Sequence, residues 1–296
     1  MQSIKAIKQR RNVVINMKQA MKAMNLVATA KLRKSRERWV NTLPFLEGTD
    51  NIMMGAANNP ATSNNIYVKE RETRNKTTGY VVFTSDRGKC GSYNINICKA
   101  VIAHASTHGK NAVVLPVGSR GVDFFLSHSQ NIYKHLGAMP ENPTFDIAEA
   151  MGRDVLAGFC VNDERGHAIS GEIDEIYIAY TKYRTVLSLE PIIEPVLPLC
   201  LRFEDAINED VSEMEYDPDV DTFLGYMAPM YINAKIYGAM LEAALCEQAA
   251  RMVATDTATN NAEELIEDLT LLFNRQRQGI ITQEITEIVS GASALK

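Results

Sequence analysis

The chain has 296 residues, of which 46% are hydrophobic, so it can bury a large core and has room for one large or two medium domains. Its net charge is -5, and its five cysteines show neither a CxxC pair nor another metal-ligand spacing, which argues against a disulfide framework and a cysteine-based metal site. No apolar run approaches the roughly 20 residues that span a bilayer, and no secretory signal is evident, so we expect contact with a membrane only through partners.

The first forty residues predict one long helix. Apolar residues recur mostly at steps of three and four from Ile7 to Ala28, and no proline occurs before Pro44. A helix of this length spans about 60 Å. Eleven basic residues and one acid lie between Lys5 and Arg38, so the helix should seek an acidic partner, with a nucleic acid as one alternative.

The middle of the chain predicts alternating strands and helices. Residues 50–78 are rich in Asn, Thr and charged residues and indicate a loose connection. The expected strands are Tyr80–Thr84, Ala112–Val117 and Glu175–Tyr183, and the expected helices are Asn94–His108, Val122–Leu126 and Thr144–Phe159. Three prolines confine the apolar segment 190–199 to a sheet edge or an irregular path. Alternation of this kind is typical of a small doubly wound sheet.

The turn SDRGKCGS, Ser85–Ser92, raises the hypothesis of an enzyme, because a glycine-containing turn before a helix can hold a phosphate. The turn lacks GxGxxG, and no GxxxxGK[ST], HExxH or GxSxG occurs in the chain. Asp86 and Arg87 could equally pair with each other or cap the helix. The residues therefore predict no catalytic, cofactor-binding or metal site.

The last part of the chain predicts a second long helix. Asp217-Pro218 is a helix-start signal, Pro229 should kink or restart the helix, and no proline follows. Two apolar stripes are expected to form a coiled-coil seam: Ala262, Leu265, Leu269 and Leu272, then Ile281, Ile285, Ile288, Ala292 and Leu295. The polar block NRQRQG, residues 274–279, separates the stripes and either fixes register or faces another protein.

Several motifs, in one order along the chain, resemble the gamma subunit of F-type ATP synthases. They are KAMNLVATAKLRKSRE at 22–37, SDRGKCGSYN at 85–94, GSRGVDFF at 118–125, YTKYRTVLSLEPIIEPVLPL at 180–199, EQAARMVATDTATNNA at 247–262 and NRQRQGIITQEITEIVSGASAL at 274–295. The resemblance covers the chain from Ile4 to Leu295. It implies an antiparallel two-helix coiled coil, formed by the two ends of the chain, with a central Rossmann-like α/β domain.

The same resemblance implies a non-catalytic rotor shaft that couples ion flow through a membrane ring to ATP synthesis or hydrolysis. The implied partners are the alpha and beta subunits, the epsilon subunit and the c-subunit ring, with no cofactor and no nucleic acid. The partner-contact residues it implies are Lys22, Met24, Asp86, Arg87, Arg277, Gln278 and Thr282. Arg11 departs from the family, which usually has an apolar residue there. No transit peptide is seen, which favours a peripheral place on the cytoplasmic face of a bacterial cell membrane.

We expect five segments: a coiled-coil helix over 1–56, a linker over 57–78, the α/β domain over 79–203, an acidic connection over 204–216 and a second coiled-coil helix over 217–296. Two other functions are kept as alternatives. Nucleotide binding or turnover by the isolated chain would favour an enzyme, and salt-sensitive binding of DNA or RNA would favour a basic coiled-coil nucleic-acid-binding protein.

Overall fold

A computed structural model describes residues 4–108, 111–162, 168–199 and 215–294. The predicted acidic connection lies outside these residues except for Glu215 and Tyr216. In chain order the elements are α1 (Ile4–Ala57), a 3-10 turn (Pro60–Thr62), β1 (Thr77–Phe83), α2 (Tyr93–His108), β2 (Asn111–Val117), α3 (Ser119–Ser127), α4 (Phe145–Phe159), β3 (Cys160–Asn162), β4 (Ala168–Ser170), β5 (Glu175–Tyr183), β6 (Leu189–Leu197) and α5 (Val220–Ala294). No helix in the described ranges is both long enough and apolar enough to cross a membrane.

The two long helices are confirmed, and both continue through a proline. Helix α1 has 54 residues and contains Pro44, and α5 has 75 residues and contains Pro229. The expectation that Pro229 restarts α5 is therefore wrong. One side of the helix here is buried, with Leu224, Ala228 and Tyr231 almost fully enclosed although Met230 is 43% exposed, so tertiary packing of that side holds the helix where local propensity would end it. The start of α5 is capped by Asp219, whose carboxylate accepts hydrogen bonds from the backbone and side chain of Thr222.

The main sheet has four strands in the order β2-β1-β5-β6. Strand β1 pairs in parallel with both β2 and β5, whereas β6 pairs antiparallel to β5 and forms one edge of the sheet. The edge position of the proline-rich segment is thus confirmed. A second, two-stranded sheet consists of β3 and β4. The strands of the main sheet lie where the alternating pattern predicted them.

The chain divides into two compact units, residues 1–29 with 251–296 and residues 30–250, and the larger unit has cores on both faces of its main sheet. On one face, α2 and α3 bury Ile97, Val101 and Phe125. On the other face, α4, the end of α1 and the first part of α5 bury a larger set that includes Met53 and Ile236. Helices on both faces of a mostly parallel sheet are the doubly wound arrangement, so the α/β part of the fold prediction is confirmed.

The smaller unit, residues 1–29 with 251–296, is an antiparallel pair of helices. Ile7 and Val14 of α1 form one buried cluster with Ala262 and Leu269 of α5. Further contacts cross the pair in reversed order, from Arg11 over the ring of Phe273 to Asn25, whose amide donates to the carbonyl of Met252 at 2.9 Å. The antiparallel coiled coil is confirmed.

Candidate partner-contact surfaces

Lys22 and Met24 lie on α1 within the smaller unit. Lys22 is exposed and Met24 is half-buried. One turn earlier, Lys18 forms an ion pair with Glu263 of α5, and this hydrogen bond and charge, together with a smaller contribution from Lys22, lower the pKa of the Glu263 carboxyl. Lys22 therefore presents its positive charge at the surface, beside a carboxylate that is already paired with Lys18.

Arg277, Gln278 and Thr282 lie in the last third of α5. All three are exposed, and the Thr282 hydroxyl donates to the carbonyl of Gln278 at 2.9 Å. Threonine back-bonding of this kind keeps a polar side chain close to its own helix. Within the described chain, Arg277 and Gln278 of the polar block thus lie at the surface of the helix, and their contact with another protein stays a prediction.

The apolar residues around this block are exposed as well. Within the first predicted stripe Ala262 and Leu269 are buried, but Leu265 and Leu272 are each 37% exposed. The second stripe has no partner within the described part of the chain: Ile281, Ile285 and Ile288 are 45%, 56% and 71% exposed. The side chain of Ala292 and the whole of Leu295 lie outside the described residues. The prediction that the second stripe forms an intrachain seam is therefore wrong for these three isoleucines.

These isoleucines lie beyond the reach of α1. Because the pairing is antiparallel and places Arg11 against Phe273, the first residue of α1, Ile4, lies only about two turns farther along α5. Exposed apolar residues in a continuous stretch indicate a surface that another protein covers. The sequence correctly located an apolar stripe but could not show which chain would bury it.

Asp86 and Arg87 lie in the turn after β1. One carboxylate oxygen of Asp86 accepts from the backbone N–H of Ser119 at 2.8 Å, and the other accepts from the N–H of Met139 at 2.8 Å. Asp86 thereby joins the turn to the start of α3 and to the segment after β2. Arg87 is 79% exposed and contacts Glu141 at 3.1 Å.

Glu141 was not singled out by the sequence, and it connects the turn to α1. Its carboxylate accepts from Lys31 of α1 and from Arg87, and the hydrogen bond and charge of Lys31, followed by those of Arg87, lower its pKa. The neighbouring Asn142 accepts from Arg38 at 2.8 Å. Two basic residues of α1, Lys31 and Arg38, thus bind acceptors within residues 30–250 of the same chain. No sequence motif marks Glu141, because its partners are about 50 and 110 positions away.

The glycine-containing turn that suggested a phosphate site is filled by its own residues. The backbone N–H of Ser85 donates to the Asn94 side chain, and the Ser85 hydroxyl donates to the carbonyl of Arg87. Next to it, Gly118 has φ +87°, and a Cβ there would lie 2.3 Å from the carbonyl oxygen of Thr84. The ends of β1 and β2 approach each other so closely that only a glycine fits at this position, and no ligand is needed to explain it.

The carboxyl ends of β1 and β5 form the switch point of the sheet, where doubly wound enzymes bind their ligands. Here α5 occupies that crevice. The Tyr93 hydroxyl, at the start of α2, donates to the carbonyl of Ala243 at 3.1 Å, and the Cys246 thiol donates to the carbonyl of Thr181 at 3.1 Å. The arrangement therefore disfavours the enzyme alternative.

Glu242 is the acidic residue of this contact, and sequence reasoning did not identify it. Its side chain is buried, and one carboxylate oxygen accepts from the backbone N–H of Tyr183, the last residue of β5, at 2.8 Å. Burial raises the pKa of Glu242 to about 7, opposed by the Tyr183 hydrogen bond and by the charge of Lys182. One signal could have found it: Glu242 is the only charged residue in the apolar and small-residue run 236–246, where a charge is expensive to bury.

Comparison with known proteins gives a consistent result over the full length. A family model described as ATP synthase matches residues 3–295. The chain is 36% identical over 311 residues to the "ATP synthase gamma chain, sodium ion specific" of Acetobacterium woodii, with 99% of each chain covered. It is 35% identical over 301 residues to the "ATP synthase gamma chain" of Staphylococcus epidermidis, with 100% of each chain covered.

Solved structures agree in fold. A chain of the Euglena gracilis mitochondrial ATP synthase, in the structure of OSCP, F1 and c-ring, matches with a TM-score of 0.68 and 18% identity, covering 99% of this chain and 94% of that one. A chain of the Tetrahymena thermophila central stalk and c-ring matches with a TM-score of 0.59 and 23% identity, covering 81% of this chain and 99% of that one. These likenesses support the two-helix and α/β architecture.

Proposed function

The chain belongs to the ATP synthase gamma chain family, the non-catalytic central-stalk subunit of F-type ATP synthases, and on this basis we propose which of its surfaces meet which partners. The last third of α5 faces the alpha and beta subunits. The observation that carries this proposal is the exposed stretch in which Ile281, Ile285 and Ile288 follow the polar block and have no cover within the described chain. A ring of subunits around this stretch would bury it.

The charged and amide groups of the polar block would fix the orientation of this contact. Arg277 and Gln278 are exposed on the same segment as the isoleucines, so a partner loop with carboxylates could bind them while the apolar side chains pack against its neighbours. Lys22 and Met24 of α1 form a second contact in the smaller unit. Arg87 and Asp86 contribute through the turn after β1, Arg87 with its exposed guanidinium and Asp86 by holding the turn in place.

The larger unit meets the epsilon subunit and the c-subunit ring, and the chain lies at the cytoplasmic face of the cell membrane, held there by these partners. The support for this part is the family and the likeness of the fold to chains taken from central-stalk and c-ring assemblies.

Rotation explains how a chain without a catalytic site can drive synthesis. Each rotor orientation presents different side chains to a given catalytic subunit. The nucleotide affinity of that subunit can change only by the difference in rotor-contact free energy between the subunit's conformations. An asymmetric helix with a positively charged side and an apolar side is suited to this role. The rotor then needs stiffness and partner contacts, and no bond to the nucleotide.

Charge reversal at Arg277 tests the proposal in the assembled complex. In membrane vesicles, Arg277→Glu should lower coupled ATP synthesis at least about fivefold, the low end of typical coupling factors, because a partner carboxylate would be repelled. Lys99→Glu, a charge reversal at an exposed position of α2, is the matched control and should leave synthesis near the unmodified level. Undiminished synthesis by a fully assembled Arg277→Glu complex would contradict the proposed contact.

A further inference from the structure

We propose that α5 is a built-in occupant of the ligand crevice of the α/β sheet, and that the Glu242 carboxylate holds α5 there by accepting the backbone N–H at the end of β5. The crevice lies beyond the carboxyl ends of β1 and β5, at the start of α2. In sheets of this topology it is the place where ligands bind. Glu242 is thus a positioning residue that holds the α/β body on the shaft helix.

Three hydrogen bonds define how α5 sits in the crevice. The Glu242 carboxylate accepts from the N–H of Tyr183, Cys246 donates to Thr181 one turn farther along α5, and Tyr93 donates to the carbonyl of Ala243 between them. The first two bonds hold neighbouring positions at the end of β5. The third holds the first residue of α2. Together they fix α5 against both sides of the switch point.

The crevice is closed by apolar contacts around these polar bonds. Cys90, Tyr93 and Cys246 form one buried cluster, with Tyr183 and Ala250 packed against it. Burial raises the pKa of the Tyr93 phenol, which keeps its hydroxyl protonated and able to donate to α5. A buried carboxylate that accepts a backbone N–H in such surroundings is expensive to desolvate, so it is retained where it fixes geometry.

The charged groups that face Glu242 come from the two strands packed against α5. Lys182 and Arg184, at the end of β5, favour its ionised form, and Glu194 of β6 opposes it. The two cations compensate only part of the cost of burial, because the pKa remains raised. This balance resembles that of an anion held in an enzyme crevice, where backbone donors and nearby cations share the charge.

Removal of the carboxylate should create a small anion site in the full-length chain. In Glu242→Ala, the amide of Tyr183 should exchange its hydrogen about 10- to 100-fold faster, as expected for loss of a hydrogen bond to a charged group. Acetate, which has the size of the removed group, should then slow this exchange and raise the midpoint of thermal unfolding by about 2–4 °C relative to chloride at equal ionic strength.

Two further variants keep the test decisive. Glu242→Gln retains an acceptor of the same size, so it should preserve protection at Tyr183 and show no response to acetate. Glu242→Asp keeps the charge but is one methylene shorter, so it should lose the protection, and it replaces the alanine variant if that variant does not fold. Unchanged Tyr183 exchange in both shortened variants, or an equal effect of acetate and chloride on Glu242→Ala, would overturn the proposal.

The part of this inference that concerns rotary coupling rests on the proposed function. In the assembled complex, Glu242→Asp should lower ATP synthesis more than it lowers ATP hydrolysis, whereas Glu242→Gln should leave the ratio unchanged. The exchange and acetate measurements use the chain alone, so they test the filled crevice whether or not the partner assignments hold. Loss of protection with an unchanged ratio would reject the coupling role and leave the filled crevice standing.

Discussion

The larger unit, residues 30–250, and the smaller unit, residues 1–29 with 251–296, are stabilised in different ways. The larger unit buries both faces of its sheet, with aromatic residues such as Phe83, Phe125 and Phe159 fully enclosed. The smaller unit has one thin buried apolar stripe, and beyond it α5 exposes a row of isoleucines. The larger unit has its own core, whereas the smaller unit has an exposed apolar surface that a partner would bury.

This difference has a physical reason. A two-helix pair can bury only one side of each helix, and within the described residues the part of α5 that extends past Ile4, the first residue of α1, has no helix of this chain beside it. A sheet with helices on both faces encloses whole side chains and gains stability in proportion to the apolar area removed from water. A rotor requires both kinds of construction, because one part must keep its shape alone and the other must contact what surrounds it.

The largest expected effect is in the sheet core. Phe83→Ala removes a fully buried ring from the larger unit and should lower the free energy of unfolding by about 3–5 kcal/mol, because the surrounding strands cannot close the cavity. Denaturant titration of the full chain measures this loss. Leu269→Ala in the smaller unit, matched as a buried-to-alanine change, should cost only about 2 kcal/mol, the low end for such substitutions. Equal losses would remove the proposed contrast between the units.

The next effect depends on pH and involves Glu242. Its folded-state pKa is about 7, above its ordinary value of 4.5, so the folded state binds more protons between these pH values. The contribution of Glu242 to the free energy of unfolding is therefore fully present below pH 4.5. It is lost as pH rises through about 7, by up to about 3 kcal/mol. Lys182, Arg184, Glu194 and the buried Cys246 are the neighbouring groups on the strands and on α5.

Glu242→Gln should remove that slope. Its stability, measured by denaturant titration at several pH values, should fall less than that of the unmodified chain between pH 5 and 8. The matched comparison is Glu263→Gln in the smaller unit, where the pKa of the exposed carboxyl is lowered and no loss of stability with rising pH is expected from that group. A Glu242→Gln variant with the same pH slope as the unmodified chain would show that this carboxyl is not the source.

The smallest effect should come from the ion pair of the coiled coil. Lys18→Ala removes the partner of Glu263, whose side chain is 56% exposed, and should leave the midpoint of thermal unfolding nearly unchanged, since solvent screens such pairs. Thermal unfolding at low and high salt is the measurement. A large drop in the midpoint that disappears at high salt would mean that the smaller unit depends on charge pairing more than on its apolar stripe.

Much of the fold could be read from the sequence, because periodicity and proline positions report local structure. Alternating apolar runs located the strands of the main sheet, and the spacing of small and apolar residues located both long helices. Pro229 shows the limit of this reasoning. A proline breaks a helix by its own preference, but burial of the residues around it outweighed that preference.

The candidate site was predicted unevenly. Arg277, Gln278 and Thr282 were implied by the resemblance to the gamma subunit family, and the structure places all three at the surface. Their contact with a partner, like that of Lys22, Met24, Asp86 and Arg87, remains a prediction. Asp86 came from a motif, but both of its oxygens bind backbone groups that lie 33 and 53 positions away.

The sequence by itself determined that two long helices bracket an α/β body, because helical and strand periodicities are local properties of the chain. Only the tertiary structure decided that α5 fills the crevice of the sheet, that Glu242 is buried there, and that Ile281, Ile285 and Ile288 have no cover within the described chain. Whether a side chain is buried depends on which distant segment packs against it. In the sequence, a stripe of isoleucines is the same whether its own chain or another chain covers it.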